Sequence, residues 1–74
     1  MQKIFVFTKP GCRQCKMTKR KLKELGKDFE EVNVMEDESA LSHVKELGYQ
    51  ALPVIEFGET VFQGFRPDEL EKLG

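Results

Sequence analysis

The sequence predicts an α/β fold of element order β-α-β-α-β-β-α, with one four-stranded mixed sheet flanked by three helices. Three observations predict it. Apolar β-forming runs alternate with helical patterns up to residue 57, as in successive β-α-β units. Two short strands near the C-terminal end stand only two residues apart, as in a hairpin. The 74 residues suffice for one compact domain, spanning 1–74, and not for two.

The first strand is read at Lys3–Thr8, where Ile4-Phe5-Val6-Phe7 places apolar residues on both sides of the pleat. That pattern suits a central strand covered on two faces. Lys9-Pro10-Gly11 breaks it. A helix follows from Cys12 to Leu25, stopped by Gly26. Cys15, Thr18, Leu22 and Leu25 share its inward face. Lys16, Lys19, Arg20 and Lys23 share the opposite face. That basic stripe is either a solvated surface or a docking face for an acidic partner.

Phe29–Val34 reads as the second strand, with Phe29, Val32 and Val34 as its apolar residues. Asp37 is the expected N-cap of the second helix, where acids suit the positive end of the dipole. That helix runs to about Leu47, with Ala40, Val44 and Leu47 inward, and ends at Gly48. Val54–Phe57 and Thr60–Gln63 are the hairpin strands, joined by Gly58-Glu59. The last helix starts at Pro67, with Arg66 as N-cap and Phe65 and Leu70 placed for a hydrophobic staple. Both β-α-β steps call for parallel pairing with right-handed crossovers, and the final pair is antiparallel.

Composition removes several classes of function. The net charge of −1 argues against nucleic-acid binding. No apolar stretch is long enough to span a bilayer. The first residues lack the length and cleavage site of a signal peptide, so a cytoplasmic location is expected. Apolar residues make up 39% of the chain and include six Phe, so a modest core is feasible without a metal or several disulfides.

In a cytoplasmic chain a lone cysteine pair is catalytic or metal-binding more often than structural. Cys12-Arg13-Gln14-Cys15 sits at the turn from the first strand into the first helix. There the unpaired N–H groups and the dipole favour a thiolate at Cys12, and Arg13 adds a positive charge. Cys15, one helical turn on, is within disulfide reach. Cys12 is therefore read as the attacking thiolate at an exposed helix tip, and Cys15 as the inward resolving thiol. Structural zinc would need four ligands, and the chain offers two Cys and only His43. A purely structural disulfide across so short a loop would add only about 2 kcal/mol. His43 is read as a surface or boundary residue, Tyr49 as packing or rim, and the methionines as core or surface filler. Leu52-Pro53 opens the third strand, either as a simple turn proline or as a cis-proline whose preceding backbone pairs with an extended substrate.

These residues carry a resemblance. Over its whole length the chain resembles the glutaredoxin and thioredoxin superfamily, and within it the glutaredoxin-like redoxins of the NrdH type. Phe7-Thr8-Lys9-Pro10-Gly11-Cys12 matches the approach to the active site in both groups. Cys12-Arg13-Gln14-Cys15 is similar to the redoxin motif, with Gln before the second Cys, where glutaredoxins have Pro-Tyr. Gly64-Phe65-Arg66-Pro67-Asp68 matches the redoxin signature, and Leu52-Pro53-Val54 the superfamily's cis-proline loop. The resemblance implies the thioredoxin fold, catalytic Cys12 and Cys15, and a cis Pro53. It implies partner contacts at Lys9, Arg13, Gln14, Leu52, Pro53, Phe65 and Arg66. It also implies electrons drawn from thioredoxin reductase and passed to class Ib ribonucleotide reductase, by a monomer whose only redox group is its own disulfide. Phe65 stands where glutaredoxins carry the second Gly of a pair that holds glutathione, and puts bulk there. Lys9 matches a glutaredoxin lysine that contacts a glutathione carboxylate, which keeps glutathione as the alternative reductant. Arg13, in place of Val or Met, and Phe62-Gln63, in place of Trp-Ser, depart from the redoxin pattern. A metal or iron–sulfur carrier is a third reading, weakened by the low Cys count.

Overall fold

The computed structural model describes residues 3–48 and 52–73. The elements are β1 (Ile4–Thr8), α1 (Arg13–Glu24), β2 (Phe29–Asn33), α2 (Glu38–Glu46), β3 (Val54–Phe57), β4 (Thr60–Gln63) and α3 (Pro67–Lys72). The predicted order holds, and the two hairpin strands fall where they were predicted. The helix ends differ by single residues, because Cys12 and Leu25 cap α1 and Asp37 and Leu47 cap α2. The Asp37 carboxylate accepts the Ala40 N–H at 3.2 Å, satisfying one donor of the first turn. Gly26 and Gly48 end their helices at φ 71° and 86°, a region that L side chains avoid. Gly58 has positive φ and Glu59 does not, which is the pattern of a II′ hairpin turn.

The sheet order is β2-β1-β3-β4, so β1 and β3 are central. β1 pairs with β2 in parallel and with β3 antiparallel, and β3 with β4 antiparallel. This corrects the expectation that both β-α-β steps would give parallel pairs. Thr8 lies opposite Asn33, and Phe7 opposite Val54. The chain thus leaves β2 and enters β3 at the same end of the sheet. A parallel step would need α2 to carry it back to the other end. The consequence is functional, because the residues before β3 arrive at the end that bears the cysteines.

Each face of the sheet has its own core. On one, Ile4, Val6, Ile55 and Phe62 pack with Leu22 of α1 and with Leu70 and Leu73. On the other, Phe7, Val34 and Val54 pack with Ala40 and Val44 of α2. Complete burial of Leu22, Ile55 and Leu70 contributes roughly 1.5–3 kcal/mol each. Phe65 packs against the cluster that holds Leu70, as the staple requires. Leu47 is not inward as expected; it is 39% exposed, having passed the last turn of α2. Met17 and Met35 are exposed rather than core. Tyr49 lies outside the described residues.

Candidate redox site

The redox site is built at the end of β1. Thr8 finishes the strand, and Gly11 at φ 75° turns the chain into α1. Cys12 becomes the N-cap, and its sulfur accepts the Cys15 N–H at 3.1 Å. A sulfur in that position takes up a donor that the helix leaves free, which favours negative charge on it. Cys12 and Cys15 form a disulfide with Cα atoms 5.2 Å apart. Cys12 is at the helix tip, but only 7% exposed, which corrects the expectation of an exposed thiol. Cys15 is 2% exposed, so the order of access is the expected one.

The cover over Cys12 comes from the loop before β3. The Leu52-Pro53 bond is cis, and the Leu52 carbonyl oxygen lies 3.7 Å from Cys12 Sγ. The Pro53 carbonyl accepts the Gly64 N–H at 2.8 Å, which ties this loop to the segment after β4. A Cβ added at Gly64 would meet Gln14 Oε1 at 3.6 Å, so Gly64 lies against the cysteine motif. Next in the chain, Phe65 borders a hollow with Met17, Arg20 and Lys21 of α1. The exposed Arg66 directs Nε at the Gln63 carbonyl, 3.1 Å away, rather than at the cysteines. Lys9 and Arg13, before and after Cys12 in the chain, are both exposed.

A cleft of about 150 Å³ opens beside the sulfurs, lined by Lys9, Cys12, Cys15, Lys16, Lys19 and Glu31 among others. At its floor, the buried Thr8 hydroxyl donates to Glu31 Oε2 at 2.8 Å, and Lys19 Nζ donates to the same oxygen at 2.8 Å. The Lys19 ammonium first, and the Thr8 hydroxyl second, hold the Glu31 carboxyl below its usual range, against a smaller opposing effect of burial. This cluster was not foreseen from the sequence, where Lys19 belongs to a basic stripe that is either solvated or a docking face. A signal was present: Glu31 is two residues from Phe29, so strand alternation puts it on the α1 side of the sheet.

His43 lies at a boundary, as read, but it has a partner that the sequence did not suggest. Its Nε2 is 2.7 Å from Glu56 Oε2, and its ring tilts against Phe7 at 5.6 Å between centroids. Among the described residues no three His, Cys, Asp or Glu side chains gather as metal ligands, and no helix is long and apolar enough to cross a membrane.

Comparison with known proteins agrees with this geometry. The family model described as Glutaredoxin matches residues 4–62. The glutaredoxin-like protein NrdH of Lactococcus lactis subsp. lactis is 43% identical over 70 residues, covering 95% of this chain and 97% of that protein. The protein of the same name from Escherichia coli K12 is 37% identical over 71 residues, covering 96% and 88%. Among solved structures, Escherichia coli NrdH-redoxin superposes with a TM-score of 0.94 at 36% identity, covering 97% of this chain and 95% of that one. It is described as a glutaredoxin-like protein with a thioredoxin-like activity profile. The thioredoxin-like protein BC3987 superposes at 0.87 with 29% identity, covering 97% and 100%.

Proposed function

The chain belongs to the glutaredoxin family as a thiol–disulfide oxidoreductase with the thioredoxin fold, and from that premise we propose that it donates electrons to a protein disulfide and is re-reduced by thioredoxin reductase. The acceptor in this reading is a class Ib ribonucleotide reductase, and the protein works as a cytoplasmic monomer. The observation that carries the reading is the state of Cys12 Sγ. It takes a helix N-terminal N–H at 3.1 Å and faces the Leu52 carbonyl at 3.7 Å. A sulfur so placed has a donor to stabilise its thiolate and a backbone acceptor beside it for an incoming extended segment.

Cys12 and Cys15 are the catalytic pair. The Cys12 thiolate attacks one sulfur of the substrate disulfide, and the other sulfur leaves as a thiolate that takes a proton. Cys15 gives up its proton and attacks Cys12 Sγ in the mixed disulfide. The second substrate sulfur leaves, and the Cys12–Cys15 disulfide closes. Two electrons have passed to the substrate, and the reductase restores them. Lys9, Arg13, Gln14, Leu52, Pro53, Phe65 and Arg66 are the residues that meet the partner.

The thioredoxin-like activity profile stated for the Escherichia coli redoxin supports thioredoxin reductase over glutathione, and so does Phe65 in place of a second Gly. Lys9, exposed beside the cleft, favours the rival reading of a glutathione-dependent glutaredoxin. The deciding experiment compares NADPH consumption with thioredoxin reductase against consumption with glutathione and glutathione reductase. Turnover with the first alone is expected. Turnover with the second alone would overturn the proposal.

A further inference from the structure

The charges of this chain are sorted by position. Residues 9–27 hold eight Lys or Arg and one acid, Glu24, whereas residues 28–74 hold three Lys or Arg and twelve acids. A net charge of −1 therefore conceals two opposite poles. The cationic pole is α1 with the turn before it, the segment that carries the redox pair. Lys9, Lys16 and Lys19 line the cleft beside the sulfurs.

Internal pairing does not exhaust this charge. Lys19 is held by Glu31, Arg20 by Glu24 and Lys21 by Glu71. Lys9, Arg13 and Lys16 have no ion-pair partner among the described residues. Arg13 and Lys16 also stand at the N-terminal end of α1, whose first turn holds no acid. Cations there oppose the helix dipole, so the stability of α1 does not account for them. They suit an anionic sulfur at Cys12 and, beyond it, an anionic visitor.

We infer that Lys9, Arg13 and Lys16 form a docking face for an extended polypeptide segment that carries acidic side chains beside its target disulfide. The inference rests on the oxidoreductase reading and adds the partner's chemistry to it. Lys9 and Lys16 line the cleft beside the attacking sulfur and Arg13 is the exposed residue next to it in the chain, so the matching carboxylates lie close to the partner's cysteines. The twelve acids of the rest of the chain repel such a partner elsewhere. The two poles together steer it onto the redox end.

The test is a single-turnover reaction of pre-reduced protein, with no reductase present. Three synthetic peptide disulfides share one loop and differ only in flanking residues, Glu, Gln or Lys. At low ionic strength the Glu peptide is expected to react at least about tenfold faster than the Lys peptide, with Gln between. The spread collapses at high salt, as screened encounter requires. The Arg13→Gln/Lys16→Gln variant loses most of the spread. The Lys3→Gln/Lys72→Gln variant, which removes the same charge from exposed sites outside the cleft, keeps it. Equal rates for the three peptides at low salt would overturn the docking face alone. No reaction even with the Gln peptide would overturn the oxidoreductase reading beneath it. Oxidised glutathione reacting faster than the Glu peptide, with the same dependence on Arg13 and Lys16, would make this a low-molecular-weight thiol site and overturn the polypeptide proposal.

Discussion

A thiol that serves in turn as nucleophile and leaving group is governed by the few donors and acceptors around its sulfur. Cys12 Sγ has the Cys15 N–H, and Cys15 is the more deeply covered of the pair. This asymmetry separates the roles. Cys12→Ser is expected to abolish disulfide reduction. Cys15→Ser is expected to complete the first exchange and stop, so that mixed disulfides with the partner accumulate on non-reducing gels. Retained reductase activity in Cys12→Ser would reverse the assignment. Glu31 sets a second expectation. Its carboxyl is held below the usual range by Lys19 and Thr8, so the folded chain keeps it ionised to lower pH than the unfolded chain does. Its stabilisation is therefore present above the unfolded value and is lost as pH falls through the folded value. The side chain is 41% exposed, so solvent screening limits the effect to about 0.5 kcal/mol. Lys19→Gln should move the Glu31 titration upward in an NMR pH series, and an unmoved titration would discard Lys19 as the cause.

The elements were legible wherever a local rule decides them. Asp37 caps α2, Pro67 starts α3, and the glycines end α1 and α2, because each depends on a residue's own backbone preference or a bond within one turn. Asp37→Ala should then cost about 1 kcal/mol in a urea unfolding curve, with Asp37→Asn restoring most of it. A change within error would mean that packing of Ala40 and Val44, not the cap, holds the start of α2. The direction of β3 was not legible. Nothing within α2 says at which end of the sheet the chain re-enters. That choice is made by the pairing of Val54 with Phe7, contacts 47 residues apart in the chain. The same non-locality hid the Thr8–Lys19–Glu31 cluster, which three different elements assemble. The cysteine pair was readable for the opposite reason, since three residues of spacing and a strand-to-helix turn suffice to define it.

At the scale of the whole molecule, β1 and β3 are shared walls between two cores. Val6 and Ile55 face the α1 and α3 side, while Phe7 and Val54 face α2. The loops at one end of those two strands carry the redox pair and the Leu52 carbonyl, so both cores support the site through the same pair of strands. Helices on both faces were expected from β1, whose unbroken apolar run has no solvent side. How tightly the two cores communicate is a matter of additivity. Ile55→Val removes one methylene from the first core and should cost about 0.5–1.5 kcal/mol. Val44→Ala removes two from the second and should cost roughly 2 kcal/mol. A chain of this length has about 4–11 kcal/mol in hand, so the double variant still folds. The two side chains lie on opposite faces of the sheet in separate clusters, so their effects should add to within about 0.5 kcal/mol. Urea unfolding of the two single variants and the double closes this cycle. A coupling well above about 1 kcal/mol would mean that the central strands shift as a unit when either core is loosened, and that the cysteine end senses packing on the α2 face.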